Sequence, residues 1–102
     1  MCVFCNRCIL SRAGSTVPLS FDHKPEDDAE HARIEKAGGV VSDGYLNHNG
    51  DGGGLNLSRA LGDHQFKHNT LLSVGEQMVS CVPDVMTETL TDKDEFIVLA
   101  CT

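Results

Sequence analysis

Three cysteines, Cys2, Cys5 and Cys8, recur at every third position in MCVFCNRC. That spacing suggests thiolate ligation of zinc or an iron–sulfur cluster, or a nucleophilic thiol. A bacterial iron–sulfur run needs a fourth cysteine after a three-residue gap, and Arg12 stands there instead. Strand geometry is also unfavourable: Cys2 and Cys8 would face away from Cys5 and lie about 20 Å apart, whereas sulfurs sharing one zinc sit about 2.3 Å from it. A cysteine-dependent phosphatase loop needs an Arg at a fixed offset that neither Cys2 to Arg7 nor Cys5 to Arg12 supplies. Small apolar side chains in a strand are the plainer reading of all three.

The remaining spacings are incomplete in the same way. Asn47-x-Asn49-x-Asp51-Gly52 imitates the first half of a calcium loop, but the bidentate Glu that should close it is Ser58. The glycines there miss the dinucleotide fingerprint, because Leu55 stands where the third belongs. His64 and His68 are one helical turn apart and would suit zinc only with further ligands, which are not evident. Asp22-His23 resembles an acid–base pair, yet adjacent residues point apart on a strand, so they belong to a helix entry.

The elements that would carry these residues follow from periodicity and turn chemistry. Cys2–Leu10 and Thr16–Leu19 flank Arg12-Ala13-Gly14-Ser15 and predict a β-hairpin, with Pro18 placing its second strand at an edge. The next segment predicts a helix, with Pro25 at its first position, acids Glu26, Asp27 and Asp28 at its start and Gly38 at its stop. Its apolar face is Ala29, Ala32, Ile34 and Ala37, small enough to lie close against a sheet. Short strands are expected at Val40-Val41 and Tyr45-Leu46, then a glycine-dense turn and an irregular excursion with some helical character. Val79–Val82 and Val85–Leu90 are further strand candidates, Asp92-Lys93-Asp94 is a turn, and Phe96–Cys101 is expected to be a strand buried on both faces.

Composition narrows the class of protein. At 102 residues the chain fits one small domain, and no linker or repeat divides it. A net charge of -7, with eight scattered Lys and Arg against fifteen acids, argues against nucleic acid or an anionic membrane as partner. No apolar run is long enough to span a bilayer and no signal-peptide pattern opens the chain, so an intracellular protein, nuclear or cytoplasmic, is expected. Five cysteines, an odd number, suit reduced thiols.

Taken in order, LSRAGSTVPLSFDHKPEDDAEHARIEKAGG, GGLNLSRALGD, EQMVSCVPDV and DEFIVLAC resemble the middle of the metal-dependent protein serine/threonine phosphatases of type 2C, and the wording runs nearest to the gamma branch. The resemblance implies an α+β fold, a partial segment of that family's αββα sandwich over residues 1–102: hairpin, helix, flap loop and buried strands. It implies hydrolysis of phosphoserine or phosphothreonine in phosphoprotein substrates, by a Mn²⁺ or Mg²⁺ pair that activates water in the intact domain.

The resemblance also implies that this chain lacks the residues for that step. The family's Asp-Gly-His-Gly-Gly run and its phosphate-binding Arg precede the matched segment. Where the family has Gly-Asp-Ser-Arg this chain has Phe4-Cys5-Asn6-Arg7, and the metal-binding aspartate of Leu-Ala-Cys-Asp-Gly falls on Thr102. Asp22, Asp63 and Asp84 match family motifs without matching a core metal ligand. No catalytic, cofactor-binding or metal-binding residue is therefore expected, nor tight Mn²⁺ or Mg²⁺ binding, nor activity from the chain alone. The alternative is a non-catalytic interaction protein that uses the flap side, Arg59 to Val82, to bind a regulatory protein. The run FIVLAC, unpaired and apolar, is expected to make the isolated chain marginally stable or prone to associate.

Overall fold

A computed structural model describes residues 6–47 and 54–101. In chain order its elements are β1 (Asn6–Arg12), β2 (Ser15–Pro18), α1 (Asp28–Lys36), β3 (Val40–Ser42), β4 (Tyr45–Asn47), the 3-10 turns η1 (His64–Phe66) and η2 (Val74–Glu76), and β5 (Asp94–Cys101). They fall into two compact units, one built from the residues up to 22 together with those from 84 onward, the other from His23–Pro83. The content is α+β with antiparallel sheets, as the resemblance implied.

In the first unit the hairpin forms as its turn chemistry dictates. Ala13 and Gly14 both take positive φ, 49° and 76°. A two-residue turn between right-twisted strands requires that conformation at both positions. Pro18 ends the edge strand β2, where its missing N–H costs no ladder bond. Pairing with β1 continues past it: Leu19 N–H donates to Cys8 O at 2.9 Å and the Ser20 hydroxyl accepts from Cys8 N–H at 2.8 Å. On the other side of β1 lies β5, giving the order β2-β1-β5 with Leu10 opposite both Val17 and Ile97. The Arg12 guanidinium fixes the start of β5. Its Nε donates to Asp94 Oδ1 at 2.6 Å, its Nη1 to Glu88 Oε1 at 2.9 Å and its Nη2 to Thr89 O at 3.0 Å. Arg12 in turn, followed by the Thr91 N–H, pulls the Asp94 carboxyl down to about 2.

Two strand expectations fail here. Phe96, Ile97, Val98 and Leu99 are 58%, 52%, 39% and 78% exposed, so β5 is not buried on both faces. It is not unpaired either: β1 occupies one edge, but a ladder along an edge leaves both faces to solvent unless another layer lies over them. Residues 85–90 join no ladder, and the segment is held instead by Arg12 at Glu88 and Thr89.

In the second unit α1 begins three residues later than Pro25 suggested. The Asp27 carboxylate accepts from Lys24 N–H at 2.9 Å while Asp27 N–H donates to Lys24 O at 3.0 Å, so Pro25 lies buried in a closed turn ahead of the helix. Gly38, with φ 90°, follows its end as expected. The buried face is Glu30, Ile34 and Ala37 rather than the alanine stripe, since Ala29 and Ala32 are exposed. The helix packs on β3, which pairs with β4 through an Asp43-Gly44 turn, and it also meets η2. Ile34, Leu46 and Val79 are fully buried at the centre, with Leu57 almost so. Val79–Val82 forms no strand of its own, only the parallel bridge Arg59↔Ser80.

Candidate functional site

The most ordered chemistry in the second unit surrounds a buried acid. A carboxylate in a core must have its lone pairs filled. Glu30, 3% exposed, is surrounded by donors. Arg59 Nη2 donates to its Oε1 at 2.6 Å, while Arg33 Nη1 and the Ser58 hydroxyl each donate to Oε2 at 2.6 Å. Burial by itself pushes its pKa up, but hydrogen bonds from Arg59, Ser58 and Arg33 outweigh that and hold it at about 2. An acid with every acceptor site engaged and so low a pKa moves no proton near neutrality. It fixes position.

What it positions is the excursion from Arg59 to Val82. Arg33 reaches past Glu30 to Ser58 O at 2.7 Å and Gln77 O at 3.1 Å, so one guanidinium ties the residue before that excursion to its returning limb. The roots meet each other as well, Ala60 N–H donating to Ser80 O at 2.9 Å and Ser80 N–H to Ser58 O at 3.1 Å. Farther out, the buried Gln77 amide organises the tip. Its Nε2 donates to Asn69 O at 2.8 Å and Leu72 O at 3.0 Å, and its Oε1 accepts from Asn69 N–H at 3.1 Å. The Glu76 carboxylate accepts from Lys36 Nζ at 2.8 Å and from the hydroxyl and N–H of Ser73, which lowers its pKa to about 2. A cleft of about 230 Å³ is lined by the apolar Ala37, Phe66 and Met78 together with the polar Gln65, His68 and Asn69.

The residues singled out by spacing do not converge. Cys8 is a free, half-buried strand residue, and Asn47 ends β4. Asp22 forms a fork with Arg7, Nη2 to Oδ2 at 2.8 Å, while His23 offers its carbonyl to the Ser58 hydroxyl at 3.0 Å. His64 opens η1, and the His68 Nδ1 lies 3.3 Å from His64 O. Asp63 precedes η1 with φ 49°. Cys2, Cys5, Asn49, Asp51 and Thr102 lie outside the described residues, as does the insertion around His48 to Gly52.

Among the described residues no group of three or more His, Cys, Asp or Glu could hold a metal ion. Spacing arguments passed over Glu30, Arg33 and Gln77. The available signal was a helix with too little apolar surface whose Glu30 and Arg33 stand three apart on one face.

Comparison with known proteins gives this arrangement its context. The Protein phosphatase 2C family profile matches residues 6–102. A probable protein phosphatase, CG10417 of Drosophila melanogaster, is 55% identical over 97 residues, covering 94% of this chain and 14% of that protein. Protein phosphatase 1G of Homo sapiens is 54% identical over 97 residues, covering 94% of this chain and 17% of its own length. Among solved structures, a phosphatase from a pathogenic strain of Toxoplasma gondii superposes with a TM-score of 0.81 at 40% identity, covering 97% of this chain and 29% of that one. A C. elegans sex determining protein superposes with a TM-score of 0.70 at 31% identity, covering 97% and 22%. The chain thus spans a small part, 14% and 17%, of the curated relatives described.

Proposed function

Since this chain belongs to the protein phosphatase 2C family, we propose that residues 1–102 are a partial phosphatase domain whose 102-residue chain does not by itself hydrolyse phosphate. The intact domain would be a metal-dependent protein serine/threonine phosphatase, removing phosphate from phosphoserine and phosphothreonine of phosphoproteins with Mn²⁺ or Mg²⁺. One observation carries the inactive reading: thiol and hydroxyl stand at Cys5 and Thr102, where the family's hard cations need carboxylates. The odd cysteine count supports a reducing compartment, nucleus or cytoplasm, and the -7 charge speaks against nucleic acid as a partner. No helix among the described residues is long and apolar enough to cross a membrane. Phosphate release from a phosphopeptide by the purified chain with added manganese, above a metal-free control, would overturn the inactive reading. So would two tightly held divalent ions counted by elemental analysis.

A second reading, a non-catalytic interaction protein, is favoured by a specific feature. The Gln77-braced tip presents Leu71, 92% exposed, and Val74, 64% exposed, on the excursion that also lines the cleft. Apolar side chains held outward on an ordered loop suit contact with a regulatory protein. Pulldown of a phosphatase regulator, compared with a chain lacking residues 61–78, tests it. Equal recovery with both, or none with either, counts against it.

A further inference from the structure

We propose that Ser73, on the tip of the excursion from Arg59 to Val82, accepts phosphate from an acid-directed serine kinase, and that the new phosphate takes Lys36 away from Glu76. The site is built between Lys36 and Gln77, within the second unit and at neither end of the chain. There the exposed Ser73 hydroxyl donates to Glu76 Oε2 at 2.7 Å, and the Ser73 N–H donates to the same oxygen at 3.1 Å. Glu76 Oε1 accepts from Nζ of Lys36, the last residue of α1, at 2.8 Å. Hydroxyl, carboxylate and ammonium thus form a short relay, with a cation one carboxylate away from the acceptor oxygen.

Charge selects the acceptor. Kinases choose substrates by charge pattern, and an acid-directed one reads a carboxylate three residues after the hydroxyl. Ser73, Thr89 and Thr91 have one there, at Glu76, Asp92 and Asp94. The Asp94 side chain is 11% exposed and clamped by Arg12, whereas that of Glu76 is 43% exposed. Arg12 is also committed to Glu88 and to Thr89 O, so neither threonine has it to offer a phosphate. The transfer forms a bond from Ser73 Oγ to the γ-phosphorus of ATP and breaks the bond from that phosphorus to the β–γ bridging oxygen. ADP leaves, and the hydroxyl proton passes to the kinase's base. Oγ then has no proton to donate, and a charge of about −1.5 to −2 stands beside the Glu76 carboxylate. Like charges part, and Lys36 follows the larger charge, trading a carboxylate for a phosphate rich in acceptor oxygens.

Mapping on the unmodified sequence tests the acceptor. After incubation of the full 102-residue chain with ATP, Mg²⁺ and an acid-directed serine kinase, peptide mass spectrometry should locate phosphate on Ser73 ahead of Thr89 and Thr91. Glu76→Gln should slow incorporation at Ser73 by about tenfold, the loss of one charge contact in the transfer step. Phosphorus NMR titration tests the relay: the second ionisation of the phosphoserine, ordinarily at about 6, should lie lower in the wild-type chain than in its Lys36→Met variant. Phosphate confined to Thr89 or Thr91, or none at all, overturns the inference. So does an unchanged rate in Glu76→Gln, or an equal phosphorus midpoint with and without Lys36.

Discussion

Glu30 Oε1 lies 2.6 Å from Nη2 of Arg59, joining the first turn of the helix to the first residue of the excursion 29 positions later. The pair is buried on the acid's side and shares its carboxylate with Arg33 and Ser58. Glu30→Gln keeps the shape but removes the charge, leaving two guanidinium groups without their counter-ion. A loss of about 3–5 kcal/mol in urea unfolding is expected. A shift of the urea midpoint within error of wild type would mean the pair contributes nothing.

Acid sensitivity should follow from three carboxyls. Glu30, Glu76 and Asp94 are all held at about 2 in the folded chain, below ordinary values of 4.5 for Glu and 3.8 for Asp. Each lowered pKa gives stability that is complete above the ordinary value and is lost as pH falls toward the folded one. The urea midpoint should therefore hold steady from neutrality to about pH 5 in these terms and drop between 4.5 and 2. Glu30→Gln should flatten that limb, and an unchanged slope would remove Glu30 from the account.

Gln77→Leu keeps the volume near the cleft but withdraws an amide that serves carbonyls at Asn69 and Leu72 and the Asn69 N–H. Buried groups left without partners cost about 1–3 kcal/mol. The local signature is sharper than the global one: hydrogen exchange should quicken across residues 69–76 while the α1 amides keep their protection. Uniform quickening across the second unit would mean that Gln77 acts on global stability alone.

At Gly39 the chain passes close to packed side chains. A Cβ there would lie 2.8 Å from Ile34 Cγ2 and 2.9 Å from Met78 Cγ and Sδ, in a site already buried. Gly39→Ala should destabilise by about 1–3 kcal/mol through overpacking, read from the urea midpoint. Met78→Ala in the same chain should relieve the Met78 part of the clash, leaving that with Ile34 Cγ2, so the two substitutions should be non-additive.

The legible parts of this fold were those decided by local rules. Ala13-Gly14 declare their turn, Pro18 its edge, and Gly38 the end of the helix, because each depends on the φ that neighbouring residues can adopt. Glu30 was not legible, since an acid on a helix ordinarily marks the solvent face and its partners Ser58 and Arg59 are remote in sequence. The same distance hid Arg33, whose task is set by carbonyls at Ser58 and Gln77. The run Phe96–Cys101 failed differently. An apolar run announces a strand, but what lies over it belongs to tertiary structure, and here β1 takes only an edge. Motif order, unlike spacing, identified the family, because several long segments in sequence constrain far more than any pair of cysteines or histidines does.

The bridge between Arg59 and Ser80 brings the two ends of a long segment together. Lengthening a tethered segment at its crest adds closure entropy only logarithmically, about 0.6 kcal/mol for each doubling. Leu71, almost fully in solvent, is therefore a natural place to splice in a peptide tag or fluorescent reporter without disturbing the anchored base.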